Sequence, residues 1–345
     1  MSLDLKYNLF RLAPHELSHS AFWGWVIQCV DSEANDLDEP RRLAQALLNR
    51  MQMRDLPAPI LVETERLIPG GSGRVDILVS GAQGALVAIE TKVSASPDKS
   101  QLERYQRAYP NAAVRLLTTS FDREILRAMP EPHLALDDLA ELAAAIRPAH
   151  PLVKAYHEWL QDQVGRRDDA KARAEGSDPR RIIEALATPE GVWFFTRRVL
   201  TALGNPAGKV YLDTSLGGWP WAQFWFADET EQRDALFYRI DGGERPGLSV
   251  KQYQGDPQPD IQAKRARLQI LQAAWDAAVG EAGVPLKDEK MRTPRGKSEW
   301  AIAYYYLKDN DPLSILGALR RIHMRFIDRI RASGWHVLDQ TSSKG

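Results

Sequence analysis

Cysteine is nearly absent from this chain: among 345 residues only Cys29 carries a thiol. A lone thiol closes no intrachain disulfide and fits a reducing compartment. Long apolar runs are missing as well. No stretch approaches the roughly 20 apolar residues of a membrane span. Met1 to Lys6 carries Asp4 and no apolar run, so no signal peptide is expected. The expectation is a soluble, cytoplasmic protein. Charge of one sign is also lacking: 45 Lys and Arg face 46 Asp and Glu, a formal net charge of -1. No global basic field advertises a nucleic-acid partner, and any grip on phosphates has to come from local patches. There is no nucleophile elbow, zinc spacing, dinucleotide fingerprint or internal repeat. The acidic stretch 31–40 lacks the EF-hand spacing and its glycine, which makes it a solvated loop. Pro69-Gly70-Gly71-Ser72-Gly73 has no following Lys-Ser/Thr, so it reads as a hairpin turn and not as a P-loop.

What the chain does have is an apolar content of 44%, enough for a sizeable core, and a length that allows two or three domains. The densest signal lies between Gly73 and Lys92. Val75 to Ser80 and Ala85 to Val93 read as two strands, joined by turn residues that include Gly81 and Gly84. Side chains alternate along a strand. Val87, Ile89, Thr91 and Val93 then share one face, and Ala88, Glu90 and Lys92 the other. Glu90 and Lys92 project together from the end of an apolar strand, and Asp76 on the neighbouring strand reaches the same place. Two carboxylates and an ammonium suit magnesium, a hard cation usually held by one or two carboxylates with water and phosphate oxygens. A lysine beside such a metal orients or activates a water, or steadies charge building on phosphate. Asp-x-Lys or Glu-x-Lys triplets also arise by chance, as at Asp4-Leu5-Lys6, Asp169-Ala170-Lys171 and Asp288-Glu289-Lys290. None of these closes a long apolar strand.

Arg74-Val75-Asp76-Ile77-Leu78, Ile89-Glu90-Thr91-Lys92 and Gln101-Leu102-Glu103-Arg104-Tyr105 together resemble the PD-(D/E)XK nuclease superfamily. The trailing Gln-x-x-x-Tyr resembles its RecB-like branch. Glu16-Leu17-Ser18-His19-Ser20-Ala21-Phe22 is similar to the opening helix of a bacterial family within it. The resemblance covers roughly residues 7 to 125, and Val75 stands where the name-giving proline would be. It implies a restriction-endonuclease-like core and magnesium-dependent cutting of nucleic acid, DNA before RNA, with manganese able to substitute. It implies Asp76, Glu90 and the Thr91 carbonyl as metal ligands and Lys92 as the catalytic cation. Glu16, His19 and Ser20 are implied beside the active site, and Arg74, Gln101 and Tyr105 as substrate contacts. A role in bacterial defence or DNA processing follows by analogy. The residues themselves leave plainer readings open. Glu16 is also a first-turn acid favoured by the helix dipole, and His19 a core histidine with one hydrogen bond. His15 and His19 are spaced for a metal pair, but no third ligand is apparent. The resemblance also implies an acid before the Gly-rich turn, which points to Glu65, on a strand from Ile60 to Leu67 with Glu63, as an accessory carboxylate.

The remaining pattern is coarser. Pro14 opens the first helix, Pro40 to Arg50 resumes one, and Asp98 to Ala108 forms another with Gln101 and Tyr105 on one side. Ala113 to Thr119 is a buried strand parallel to the one ending at Lys92. The expected fold is α/β, a mixed central sheet flanked by helices, followed by a helical connector and a C-terminal α+β domain. The boundaries are 1–148, 149–205 and 206–345, the first set where Pro148 and Pro151 end the Leu134 to Ile146 helix. The charged stretch 165–181 reads as a solvated helix or linker, and Ile182 to Leu203 as a single aromatic-rich helix. Four antiparallel strands start at Lys209, Trp219, Ala235 and Leu248. A helix from Ile261, a strand from Ala301 and a helix from Leu313 follow. Trp219, Trp221 and Trp225 are expected on one strand face, and a buried face is preferred to a base-stacking one. Lys264, Arg265, Arg267, Arg320, Arg321 and Arg325 are phosphate contacts or solvated helix faces. The partner expected is nucleic acid, with no membrane, and a homodimer is an allowed assembly. The rival reading is a nuclease-fold scaffold that binds nucleic acid or a protein without cutting.

Overall fold

The computed structural model describes residues 8–12, 16–53, 56–71, 73–93, 98–120, 126, 129–215, 217–226, 235–253, 261–287 and 299–333. Pro14, His15, Ser72 and the side chain of Lys264 lie outside the described residues. The chain divides into two compact units, Met1–Arg166 and Arg167–Gly345. No helix among the described residues is long and apolar enough to cross a membrane.

The first unit is a mixed five-stranded sheet in the order β1-β2-β3-β4-β5. β1 (Leu61–Leu67), β2 (Arg74–Gly81) and β3 (Gly84–Lys92) form an antiparallel meander. β4 (Ala113–Thr118) and the two-residue β5 (His133–Leu134) continue it in parallel. The β1–β2 connection is the expected hairpin, closed by Ile68 N–H to Gly73 O at 2.9 Å. Helix α4 (Lys99–Ala108) carries the chain from β3 to β4, and its Asp98 N-cap accepts from Ser100 N–H. Two apolar layers sandwich the sheet. Ile77, Val79, Val87, Ile89 and Leu117 pack with α2 (Glu16–Gln28), α3 (Asp38–Arg50) and α5 (Leu136–Ala145). Val75, Leu78, Ala88, Val114 and Leu116 pack with Leu102 and Tyr105 of α4. α1 is the short turn Leu9–Leu12, and α6 spans Pro151–Ala174. Val153, Tyr156, Trp159 and Leu160 of α6 belong to the first core. The helix expected from Leu134 begins at Leu136, because His133 and Leu134 are taken up as the edge strand.

The second unit is an antiparallel five-stranded sheet in the order β10-β9-β8-β7-β6. Its strands are β6 (Tyr211–Thr214), β7 (Pro220–Trp225), β8 (Leu236–Asp241), β9 (Gly247–Tyr253) and β10 (Glu299–Tyr306). Its helices are α7 (Pro179–Ala185), α8 (Pro189–Leu203), α9 (Ile261–Ala282) and α10 (Pro312–Ala332). The single helix expected over 182–203 is therefore two. Thr188 caps the second through Gly191 N–H, and a Cβ on Gly191 would lie 1.9 Å from Ala185 O, so only glycine allows the tight join. On the core side, Phe224 stacks on Tyr238, and Trp275 meets Phe326 edge to face. The placement of the tryptophans is corrected as well. β7 alternates with Pro220, Ala222 and Phe224 buried, and Trp221 and Trp225 half-buried on the opposite side. Trp219 precedes the strand and is 43% exposed, so these rings do not fill the core. The small or compact residues at even positions fit under the helices, and the indoles are left to the outer face.

Candidate active site

The site is assembled where the antiparallel meander meets the parallel half of the sheet. The β2–β3 ladder runs to the pair Ile77 and Ile89. Just beyond it Asp76 turns its carboxylate onto β3: Oδ2 accepts from Thr91 N–H at 2.7 Å and from the Thr91 hydroxyl at 3.1 Å. Thr91 in turn contacts the Ser20 hydroxyl at 2.9 Å, which ties α2 to the strand. Asp76 is thus held by backbone and side chain at once, on a strand whose apolar residues are locked in the core.

Glu90 is the most buried acid of the group, 1% exposed. Its Oε2 accepts from the hydroxyl of Tyr105, which also lies 2.7 Å from Arg74 O. Gln101 Nε2 donates to the same hydroxyl at 3.2 Å. Glu90 Oε1 lies 2.5 Å from Lys92 Nζ yet lacks a partner in hydrogen-bonding geometry. Burial, and then the neighbouring Asp76 charge, push the Glu90 carboxyl up to about 7, against the pull of Lys92 and Tyr105. Lys92 Nζ also reaches Glu16 Oε2 at 3.2 Å. Burial alone pulls Lys92 down, but Glu90, Glu16 and Asp76 outweigh it and its net shift is upward. An ammonium stabilised in this way is a poor proton acceptor, so its suitable roles are to position a group or to balance negative charge.

Glu65 approaches from β1. The register on either side pairs Thr64 with Ile77 and Arg66 with Val75, which sets Glu65 opposite Asp76. Glu65 itself has φ 54°, a left-handed conformation unusual for a residue with a side chain. Burial raises its pKa, with Asp76 and Glu16 adding to the rise and Arg74 and Lys92 opposing it.

Of the residues expected from sequence, the structure brings together Asp76, Glu90, Thr91, Lys92, Tyr105, Gln101 and Glu16. Arg74 contributes a main-chain carbonyl to Tyr105, and its charge is felt by Glu65. The contacts of His19 are with the aromatic core. Its ring meets Trp159 at 4.4 Å and Tyr156 at 5.3 Å, with Nδ1 2.8 Å from the Tyr156 hydroxyl. Burial drives it down to about 3, so it is neutral at pH 7. Ser20, which the resemblance implies beside the active site, joins the cluster through its contact with Thr91.

The donor set accommodates a divalent cation in one respect and is sparse in another. Among the described residues no three His, Cys, Asp or Glu side chains are arranged to hold a metal. Two carboxylates suffice for magnesium, which keeps several waters. The mutual repulsion of Asp76 and Glu90 is what a cation between them would relieve.

Residues 7–119, about a third of the chain, match the family model described as the PD-(D/E)XK nuclease superfamily. The resemblance drawn from the motifs is borne out at the level of the superfamily, and the match spans every residue of the cluster. It suggests nuclease activity and a nucleic-acid substrate. No curated protein and no solved structure matches the chain.

Proposed function

We propose that the first unit is a metal-dependent nuclease that hydrolyses phosphodiester bonds, of DNA in preference to RNA. The observation that carries this reading is the pairing of a buried Glu90 with Asp76 beside a lysine whose charge is reinforced. A sheet interior gains nothing in stability from two like charges in apolar surroundings, whereas a cation site uses both. Asp76, Glu90 and the Thr91 carbonyl would hold magnesium, or manganese in its place. When bound, such a metal supplies a Lewis acid and a more acidic water.

The chain's own residues have separate tasks. Thr91 fixes the Asp76 carboxylate. Tyr105 donates to Glu90 and so favours its ionised form. Lys92 stays an ammonium and steadies negative charge on the scissile phosphate. Glu16 holds Lys92 from the helix side. Gln101 orders the Tyr105 hydroxyl, an arrangement that supports the RecB-like branch. His19 serves the aromatic core that positions α2. A place in bacterial defence or DNA processing, with target choice in the second unit, is the biological setting we favour.

The test is a calorimetric titration of manganese or magnesium into the full chain and into Asp76→Ala, with and without a short DNA duplex, alongside cleavage of end-labelled DNA and RNA. Metal binding and DNA scission that both vanish in Asp76→Ala are expected. Absence of metal binding in the unsubstituted chain, with DNA present, would sink the reading and leave a binding scaffold.

A further inference from the structure

The outer face of the second sheet holds a cleft that catalysis in the first unit does not use. It encloses about 330 Å3 and is lined by Trp219, Pro220, Trp221, Asp241, Arg245 and Tyr304, among others. We propose that this cleft binds an unstacked nucleobase, held between aromatic rings.

Preorganisation is the first argument. Trp219 is 43% exposed but is not loosely placed. Its N–H donates to Ser215 Oγ at 3.1 Å, and its carbonyl accepts from Ser215 N–H at 2.8 Å. Its indole lies on Gly243, where a Cβ would come within 2.5 Å of the ring, and that glycine has φ 98°. Trp221 is backed by the Arg239 guanidinium at 4.3 Å from the ring centre, and Arg245 lies 4.0 Å from the centre of Tyr306. With its backbone held by Ser215 and its ring seated on Gly243, Trp219 has lost part of its ordering entropy in advance, as a stacking platform should.

Charge decides what the rings are for. Arg239 pairs with Asp241 at 2.7 Å, and Lys251 with Glu299 at 3.3 Å, so the floor of this sheet face is internally neutralised. Glu244 and Arg245 bring one charge of each sign to the rim. A cage for a quaternary ammonium would be net acidic, and its ring faces would not already carry guanidinium groups. A phosphate site would be net basic. A flat, neutral ring with polar edges fits, and base stacking on aromatics tolerates any base. That the base comes from a strand, and not from a free mononucleotide, rests on the nuclease reading; that a base binds at all does not.

The experiment is fluorescence anisotropy of a labelled single-stranded 12-mer with the full chain in excess EDTA, which keeps the cutting chemistry out of the readout. Trp219→Ala and Trp221→Ala are each expected to weaken binding about tenfold, and Trp219→Phe by no more than about twofold. A strand carrying 5-iodouracil should crosslink on irradiation at Trp219 or Trp221. Competition by millimolar nucleoside monophosphates would identify the free nucleotide as a source, and its absence the strand; both retain a base in the cleft. The proposal is overturned if the two alanine variants bind the strand and crosslink as the unsubstituted chain does. It is equally overturned if tetramethylammonium protects the tryptophans from oxidation and neither strand nor mononucleotide does.

Discussion

The Tyr105 hydroxyl rests on Glu90 Oε2, and both side chains are withdrawn from solvent. Burial, followed by the Glu90 charge, raises the Tyr105 pKa, so the phenol stays protonated and donates. Tyr105→Phe removes a bond to a charged acceptor and should cost about 1.5–3 kcal/mol in urea unfolding. The same change should move the Glu90 titration upward, since the lost bond favours the carboxylate. Carboxyl carbon NMR reads that shift directly. An unmoved Glu90 resonance would remove Tyr105 from the site.

Glu90 gives the metal-free protein a pH dependence of definite sign. Its carboxyl is raised from 4.5 to about 7 in the fold. Below about pH 4.5 it is protonated in both states and its contribution is complete. Between there and pH 7 only the unfolded chain ionises it, so stability falls as pH rises. The loss by neutrality is on the order of 3 kcal/mol, at 1.36 kcal/mol per unit. Glu90→Gln in EDTA should lack this fall, and saturating magnesium should flatten it in the unsubstituted chain. Parallel pH–stability curves for the two proteins would contradict the assignment.

Much of this site was legible because it rests on strand alternation. Glu90 and Lys92 had to share a face, and Asp76 had to lie next door once the turn at Gly81 and Gly84 was recognised. Parallel pairing of β3 with β4 followed from the intervening helix. What alternation does not contain is which face is covered. Trp221 and Trp225 were placed together correctly, yet their burial depends on where α8, α9 and α10 pack, a long-range fact. His19 and Ser20 are adjacent in sequence but diverge by about 100° around the helix. One meets Trp159 and the other Thr91, and only the tertiary partners separate their roles.

His19 supplies the opposite pH response. Burial lowers it from 6.5 to about 3, so it is neutral in the fold while the unfolded chain takes up a proton. Its contribution is complete above pH 6.5 and is lost as pH falls toward 3. His19→Phe should abolish that acid sensitivity without altering metal binding. His19→Ala should destabilise by about 2–4 kcal/mol through the cavity it leaves. Loss of metal binding in a folded His19→Phe protein would show that the histidine belongs to the site after all.

Glu65 poses the sharpest question, because its backbone and side chain argue separately. A non-glycine residue at φ 54° is strained by about 1–3 kcal/mol. Its acid is also set opposite Asp76, which opposes its ionisation. Neither feature helps the fold. Glu65→Gly relieves both and should raise stability by about 1 kcal/mol. Glu65→Asn tolerates the same backbone and replaces the carboxylate by a shorter, neutral amide. If the carboxylate completes a cation site, both variants should bind manganese about tenfold more weakly, the scale of a supporting metal contact. Stabilisation with unchanged affinity in both would make Glu65 a hinge that bends β1 over the site, with its charge incidental. A weaker affinity in Glu65→Gly alone would assign the role to the ordered backbone. The two variants therefore separate a third carboxylate from a strained strand, a distinction that neither substitution makes by itself.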